Sequence, residues 1–375
     1  MIYLDIATAV HSRAGLGRYA EKLALEVSTK RPGEIALFHN LAPDGRVPDS
    51  LKHLPRHHIK AGFKPWRMAV WLAHVGRLPF NRLVPDVKLF HSTEHLLMPL
   101  WNVPTVITVH DLIYKLFPEY HKSLNYWYLN TAMPLYCRRA TAIITISESS
   151  KRDIMREYQV PEEKIHVIYE AAAPHFTPPT AEQITAVRHK HQLPDQYLIH
   201  LGTIEPRKNL DRLLTAVLRL RQTRFPQLKL VLAGAKGWLV DDFFARIEQE
   251  QLQNAIQILG WVEDEDLPAV IAGASLAVQP SIYEGFGLPL LEHMACGQVV
   301  AASHTSSLPE LGGEAAVYFD PLDTDEMAAV IGRLLNNPAE KATRRDLSIA
   351  QASKFSWEKT ASETLAVYDK LLNRF

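Results

Sequence analysis

The chain has 375 residues, enough for two domains, and its 47% hydrophobic and 22% charged residues are ordinary for a globular protein. Its 41 basic residues balance its 41 acidic ones, so no global field draws it to nucleic acid or lipid. Two cysteines, Cys137 and Cys296, exclude a disulfide framework or a cysteine zinc site; with an N-terminus unlike a signal peptide, they point to the cytoplasm, and no apolar run reaches the roughly 18 residues of a membrane span.

From the N-terminus, "IYLDIA", "IALFHN", "VKLFHS", "TVITVH", "AIITIS" and "IHVIYE" read as strands. They are apolar without strict alternation, the pattern of parallel strands buried on both faces. Helical patterns lie between several of them, as in "GRYAEKLALEVSTK" and "SESSKRDIMREY", the second with Ser147 or Ser149 as its cap. Pro174, Pro178 and Pro179 in "APHFTPPT" mark a linker and set a boundary between residues 1–175 and 176–356. The pattern then restarts with "YLIHLGTI", "LKLVLAGA", "AIQILGWV", "SLAVQPSI", "VVAAS" and "AAVYFD", and with helices such as "NLDRLLTAVLRLRQ". The last segment is a helix with Trp357, Ala361, Leu365, Tyr368 and Leu372 on its apolar face and Ser356 as a possible cap. This order predicts an α/β protein of two Rossmann-like halves, with chemistry beyond the carboxyl ends of the strands, in the cleft between the halves.

Four stretches carry candidate chemistry. "RAGLGRYA" fits the G-x-G-x-x-A dinucleotide fingerprint with Gly15, Gly17 and Ala20, which raises an NAD-dependent oxidoreductase. Its context fails, because "TAVHSR" separates it from the strand and "FHN" lacks an acidic ribose ligand. A glycine loop opening a helix, its N–H groups facing an anion, is preferred over a simple tight turn. In "IHLGTIEPRKNL" a strand runs into Gly202, and Arg207 and Lys208 follow beside a helix start; this suits a diphosphate or is a solvated basic turn. His110, at the end of "TVITVH", is either a substrate ligand or a buried histidine bonded to the backbone. In "YEGFGLPLLEHMACG", Gly285 and Gly287 allow a tight turn and Pro289 suits a first helical turn. Glu284 then precedes the helix and Glu292 lies about one turn inside it. That spacing suits two ends of one ligand better than a shared metal; favourable acids near a helix N-terminus are the alternative.

Two D-x-D triplets, 264–266 and 323–325, each precede an apolar helical stretch, and N-capping accounts for both without a metal. No other metal-binding pattern occurs. Residues 52–82 are basic and aromatic, with no Asp or Glu between Asp49 and Asp86. They read as a peripheral contact with an anionic membrane or charged acceptor, or as a solvated face with its aromatics in the core; no nucleic-acid motif accompanies them.

Taken in order, "AGLG", "VHD", "GTIEPRKN", "GWV", Glu284 with Glu292 in an E-x7-E arrangement, and "FSWE" resemble the family 4 retaining glycosyltransferases over nearly the whole chain. The resemblance implies the GT-B fold, two Rossmann-like domains facing a central cleft, with the helix at 357–375 crossing back to the first domain. It implies hexose transfer from a nucleotide-sugar donor with retention and without a metal or other cofactor. Arg207 and Lys208 would bind the diphosphate, Glu292 the ribose, and Glu284 with the amides of Gly285, Phe286, Gly287 and Leu288 the donor hexose and distal phosphate. His110 would contact the transferred sugar, Gly15 and Gly17 would let the N-terminal loop approach donor phosphate and acceptor, and the base would pack near Gly260 to Val262. "VHDL" with "GTIEPRKN" looks most like members using GDP-mannose in polysaccharide or O-antigen assembly on a glycan or lipid-linked acceptor. UDP-glucose, UDP-N-acetylglucosamine and rhamnose donors stay open. "EAAAPHF" departs from the Asn-Gly-Val-Asp that many members carry at that point.

Overall fold

The computed structural model describes residues 1–11, 14–40, 46–120 and 123–374. They form two compact units, one of Met1–Glu170 with Ser356–Phe375 and one of Ala171–Phe355.

The first unit holds a seven-stranded sheet. Its strands are β1 (Ile2–Asp5), β2 (Ile35–Asn40), β3 (Arg56–Ile59), β4 (Leu89–Ser92), β5 (Thr105–Val109), β6 (Ala142–Thr145) and β7 (Ile165–Val167). All pairings are parallel, in the order β3-β2-β1-β4-β5-β6-β7. The second unit holds six parallel strands: β8 (Tyr197–Leu201), β9 (Lys229–Ala233), β10 (Ile256–Gly260), β11 (Leu276–Gln279), β12 (Val300–Ser303) and β13 (Val317–Phe319). Their order is β10-β9-β8-β11-β12-β13. Both orders reverse direction at one point, between β1 and β4 and between β8 and β11, where doubly wound sheets bind ligands beyond the strand ends.

The strands form where apolar runs can be covered on both faces. Every residue of β1, β2, β4, β5 and β6 is buried. The edge strands differ: β7 is only partly buried, and β3, of sequence RHHI, has its first three residues exposed. β3 carries no apolar run and was not among the expected strands. Each unit has its own core, one around Phe38, Phe90, Ile107 and Tyr136, the other around Leu198, Leu230, Val278 and Ile331.

Side-chain caps set several helix starts. Ser147 accepts from the Ser150 N–H, Ser356 from Lys359, and Asp323 from both Asp325 and Glu326. Asp323 thus caps as its triplet predicts. The other triplet differs: Asp266 makes no side-chain cap and instead takes Lys190 at 2.6 Å and His191 at 2.7 Å. The helix at Leu267–Ala272 begins with proline at its first turn, so one backbone donor fewer needs a cap.

The C-terminal helix Trp357–Leu372 lies in the first unit. Thr360 donates to the Tyr169 carbonyl at 2.7 Å, Asp369 pairs with Arg31 at 2.6 Å, and Tyr368 meets buried His91 at 2.6 Å.

Candidate functional site

The second unit builds its site at the β8/β11 switch point. Gly202 follows β8 with φ +135° and Gly234 follows β9 with φ +154°. A Cβ on Gly234 would lie 2.0 Å from the Gly202 carbonyl oxygen, so glycine is required for the two strand ends to approach. The chain then makes a 3-10 turn over Pro206–Lys208 and enters the helix Leu210–Thr223. Asn209 holds this turn to the loop after β11: its amide donates to the Pro280 carbonyl at 3.1 Å, and Ile282 N–H donates to Arg207 O at 2.8 Å.

That clamp brings Arg207 and Lys208 onto Glu284. Lys208 Nζ lies 2.6 Å from Glu284 Oε1 and Arg207 Nη1 2.5 Å from Oε2. Ser281 at 2.7 Å and Gln279 at 3.0 Å also donate to Oε1. A second carboxylate, Glu205, pairs with Arg207 Nε at 2.6 Å. Glu205, Lys208 and Glu284 are all about 95% buried. Burial alone would raise the Glu284 carboxyl, but Arg207 and Lys208 outweigh it and hold the group well below the usual carboxylate range. Burial, then Arg207, lowers the Lys208 ammonium.

Two cations and two carboxylates make this cluster formally neutral, whereas the sequence suggested a basic turn. Glu205 and Gln279 were not singled out; Glu205 sits two residues before Arg207, and that spacing was its available signal. Glu284 is held by the cations and by Ser281 and Gln279. An ammonium carries three donors, and Lys208 uses one of them on Glu284.

Gly287, with φ +110°, opens the helix Leu288–Ala295, and Pro289 lies in its first turn. A Cβ on Gly287 would come within 2.9 Å of Leu308. Ser307 Oγ donates to the carbonyls of Glu284 and Phe286, and Ser306 Oγ accepts from Glu284 N–H. Gly285 lies inside this pinned loop. Glu292 is buried within the helix. At the β10 end Gly260 takes φ +68°, Trp261 is exposed and Val262 is buried.

In the first unit His110 follows β5 and is buried. Its Nε2 lies 2.9 Å from the Thr93 carbonyl, which can only accept, so Nε2 carries a proton. Its Nδ1 faces Glu170 Oε1 at 3.3 Å. Burial lowers the imidazole, but Glu170 outweighs it and raises the group above its ordinary value. His110 is therefore a histidine bonded to the backbone and to a carboxylate, and the imidazolium so favoured has no lone pair to act as a base. Glu170 was missed because it lies sixty positions away, at the end of "IHVIYE".

A chain of buried polar groups adjoins it. Tyr19 Oη meets Thr108 Oγ1 at 3.0 Å, and Thr108 meets His91 Nε2 at 2.7 Å. At the β1 end, burial and the neighbouring Glu94 push Asp5 up to about 8. Gly15 and Gly17 lie in the first turn of the helix Ala14–Lys30, not in a loop before it. Residues 12 and 13 of "TAVHSR" lie outside the described residues. A Cβ on Gly17 would reach 3.0 Å from Thr8 O, so its glycine is explained by packing; one on Gly15 would meet nothing within 4 Å.

Among the described residues no group of three or more His, Cys, Asp or Glu could hold a metal. Among the same residues no helix is long and apolar enough to cross a membrane.

Comparison with known proteins bears on both units. A family model described as Glycosyltransferase Family 4 matches residues 14–174, and one described as Glycosyl transferases group 1 matches residues 183–352. The O-antigen chain mannosyltransferase B of Escherichia coli is 32% identical over 376 residues, 96% of either chain. The serotype-specific mannosyltransferase WbdA of Escherichia coli is 31% identical over 306 residues, 75% of this chain but 36% of that longer one. Anabaena HepE, crystallised with UDP and glucose, has the same fold, with a TM-score of 0.74 at 19% identity over 98% of this chain and 99% of that one.

Proposed function

The chain belongs to glycosyltransferase family 4, with the GT-B fold and hexosyltransferase activity of that family, and from that premise we propose that it transfers mannose from GDP-mannose to a glycan or lipid-linked acceptor in O-antigen-type assembly. The observation that carries this reading is the 32% identity to an O-antigen mannosyltransferase along 96% of both chains. Transfer proceeds with retention and without a metal, from the cytoplasmic side, with residues 52–82 in peripheral contact with the membrane.

In this reading Lys208 turns its two remaining donors, and Arg207 its exposed part, to the diphosphate and stabilises charge on the leaving group. Glu284 fixes both cations before the donor arrives, so little reorganisation accompanies charge development. Glu292 takes the ribose hydroxyls, and the loop from Gly285 to Leu288 offers amides to the distal phosphate and hexose. His110, with both ring nitrogens engaged by Thr93 and Glu170, contacts the transferred sugar through its ring edge and positions Thr93. The leaving diphosphate oxygen accepts the acceptor's proton.

The test is a panel of nucleotide-sugars in thermal-shift assays with EDTA present. GDP-mannose should raise Tm and UDP-sugars should not; a shift with UDP-glucose alone would replace the donor. Lys208→Ala and Glu292→Ala should weaken GDP binding about tenfold to a hundredfold, the range for losing charge-assisted bonds. Unchanged GDP affinity in calorimetry would remove those roles. Product NMR reads the anomeric configuration.

A further inference from the structure

The helix Phe63–Gly76 is apolar on two opposite faces. Trp66, Val70 and Ala73 enter the core, and Trp66 stacks on Phe80 at 5.6 Å. On the other side Leu72 and Val75 are 53% and 59% exposed, Met68 is exposed as well, and Leu78 beyond the helix end is 60% exposed. Trp71 meets exposed Trp127 edge-on at 5.9 Å, so the apolar surface continues onto the helix Ser123–Arg139. An apolar surface of this kind on a globular unit marks a contact site.

The helix ends in a left-handed turn that places an arginine, Arg77 with φ +53°, where glycine is usual. Leu78 N–H returns to the Ala73 carbonyl at 2.8 Å and Arg77 N–H to His74 at 3.4 Å. Beside this turn, at the amino ends of the strands and away from His110, lies a cavity of about 410 Å³ lined by Arg77, Arg139, His74, Met98, Leu100 and Trp101, among others. His74 Nε2 donates to the Leu97 carbonyl at 2.9 Å, so Nδ1 keeps its lone pair and accepts from Arg139 Nη1 at 3.0 Å. The same Nη1 donates to the His74 carbonyl at 2.6 Å. Among the described residues the side-chain bonds of Arg139 leave from Nη1, and its Nη2 and Nε edge makes none. Among the described residues no carboxylate pairs with Arg77 or Arg139. The cavity therefore combines two uncompensated guanidinium groups with an apolar wall, next to an exposed apolar stripe.

We propose that this cavity binds the phosphate of an anionic phospholipid while the stripe from Met68 to Leu78 lies in the membrane interface. The inference rests on the peripheral-membrane reading above and is independent of donor chemistry. Charge complementarity selects the occupant: no acidic residue stands between Asp49 and Asp86, while Lys60, Lys64, Arg77 and Arg82 do. The apolar wall at Met98, Leu100 and Trp101 suits the first carbons of an acyl chain. A guanidinium edge of two N–H groups matches two phosphate oxygens.

Vesicle flotation with the full chain tests this, using phosphatidylcholine vesicles with and without phosphatidylglycerol. The chain should float only with the anionic vesicles. Arg77→Gln should weaken partitioning about fivefold and Arg77→Gln with Arg139→Gln about thirtyfold, from ~1 kcal/mol per interfacial cation. Arg77 needs no side-chain bond to fold, so its single variant keeps the test valid if the Arg139 variant unfolds. Leu72→Glu with Val75→Glu should abolish flotation. Lys52→Gln with Arg56→Gln, just before and at the start of the edge strand, should change it less than about twofold if the pocket rather than diffuse charge is responsible. Equal losses in both charge pairs would overturn the pocket, and no flotation of the wild type would overturn the proposal. Stabilisation by inorganic phosphate that Arg77→Gln removes, without vesicle binding, would reassign the cavity to free phosphate. A dimer in sedimentation that Leu72→Glu dissolves, again without vesicle binding, would assign the stripe to a second copy. GDP-mannose thermal shift on the same variants should be unchanged, so a failed membrane test leaves the transferase reading standing.

Discussion

The two units solve the same problem, holding ionised groups at the carboxyl ends of a parallel sheet, in different ways. The second unit assembles its cluster from short contiguous runs: Glu205 to Asn209 after β8, and Gln279 to Glu284 from the last residue of β11 onward. Each cation there meets a buried carboxylate, and the loop is pinned by the Ser306 hydroxyl, which accepts from Glu284 N–H, and the Ser307 hydroxyl, which donates to the Glu284 carbonyl. The first unit assembles its polar groups from distant points: Tyr19, Thr108, His91 and Tyr368 are hydrogen-bonded in series, and the His110–Glu170 pair packs against the Tyr19 ring. Its central ion pair contains a histidine, which can discard its charge, whereas the second unit's pairs contain Arg and Lys. A local cluster anchored by an arginine suits a charged donor; a dispersed, titratable one makes the first unit's stability depend on pH.

The largest expected effect breaks the second cluster. Glu284→Ala leaves Lys208 and Arg207 without their shared partner and should cost about 3–5 kcal/mol, the usual result of stranding a buried charge. The thermal transition of the second unit should fall accordingly. Lys208→Met with Glu284→Gln should recover most of that loss, because both charges leave together, yet should not restore GDP binding. A Glu284→Ala protein that melts like the wild type would mean that Lys208 is solvated and the cluster is not a buried unit.

Glu170→Gln makes the corresponding break in the first unit and should cost less, about 1–3 kcal/mol, because His110 can lose its proton when its partner goes. The pH dependence gives the sign. Glu170 raises His110 above its ordinary value, with Asp111 acting the same way and buried His91, lowered to about 3, staying neutral beside it. The pair's contribution is complete below the unfolded histidine pKa of about 6.5 and is lost as pH rises through the raised folded value. The difference between wild type and Glu170→Gln should therefore be largest below about pH 6 and shrink on the alkaline side. A difference that grows with pH would show that the pair is not ionised as His110⁺ and Glu170⁻.

The same contrast explains how much was legible in the sequence. Buried parallel strands such as TVITV and AIIT announce themselves as apolar runs, so both sheets could be read except for β3. RHHI forms a strand because Leu37 to Asn40 offer a parallel partner, a tertiary cause that leaves no local pattern. Arg207, Lys208 and Glu284 were readable as candidates because strand, turn and helix follow one another within each motif. Their mutual neutralisation was not, since it depends on the Asn209 clamp bringing two distant turns together. Glu170 carried no signal beyond its place at a strand end. The helix at 63–76 was read as one undifferentiated basic and aromatic stretch; helical phasing divides it, with Trp66, Val70 and Ala73 inward and Met68, Leu72 and Val75 outward. Arg67, one of the basic residues of that stretch, lies 3.9 Å over the Tyr128 ring and donates to Asn125.

The smallest expected effect tests which unit the C-terminal helix stabilises. Ser356 is at once the boundary of the first unit's second segment and the cap whose hydroxyl accepts from Lys359 N–H at 3.1 Å. Ser356→Ala should cost about 1 kcal/mol. The loss should appear in the first unit, because the helix it starts contributes Thr360 to Tyr169, Asp369 to Arg31 and Tyr368 to His91. Hydrogen exchange separates the outcomes: faster exchange in β4 and in the helix Ala14–Lys30, with β8 and β11 unchanged, is the expected pattern. Faster exchange confined to the second unit would place the helix's stabilising role there instead, and the histidine-centred network would then not depend on a segment 277 residues away from His91.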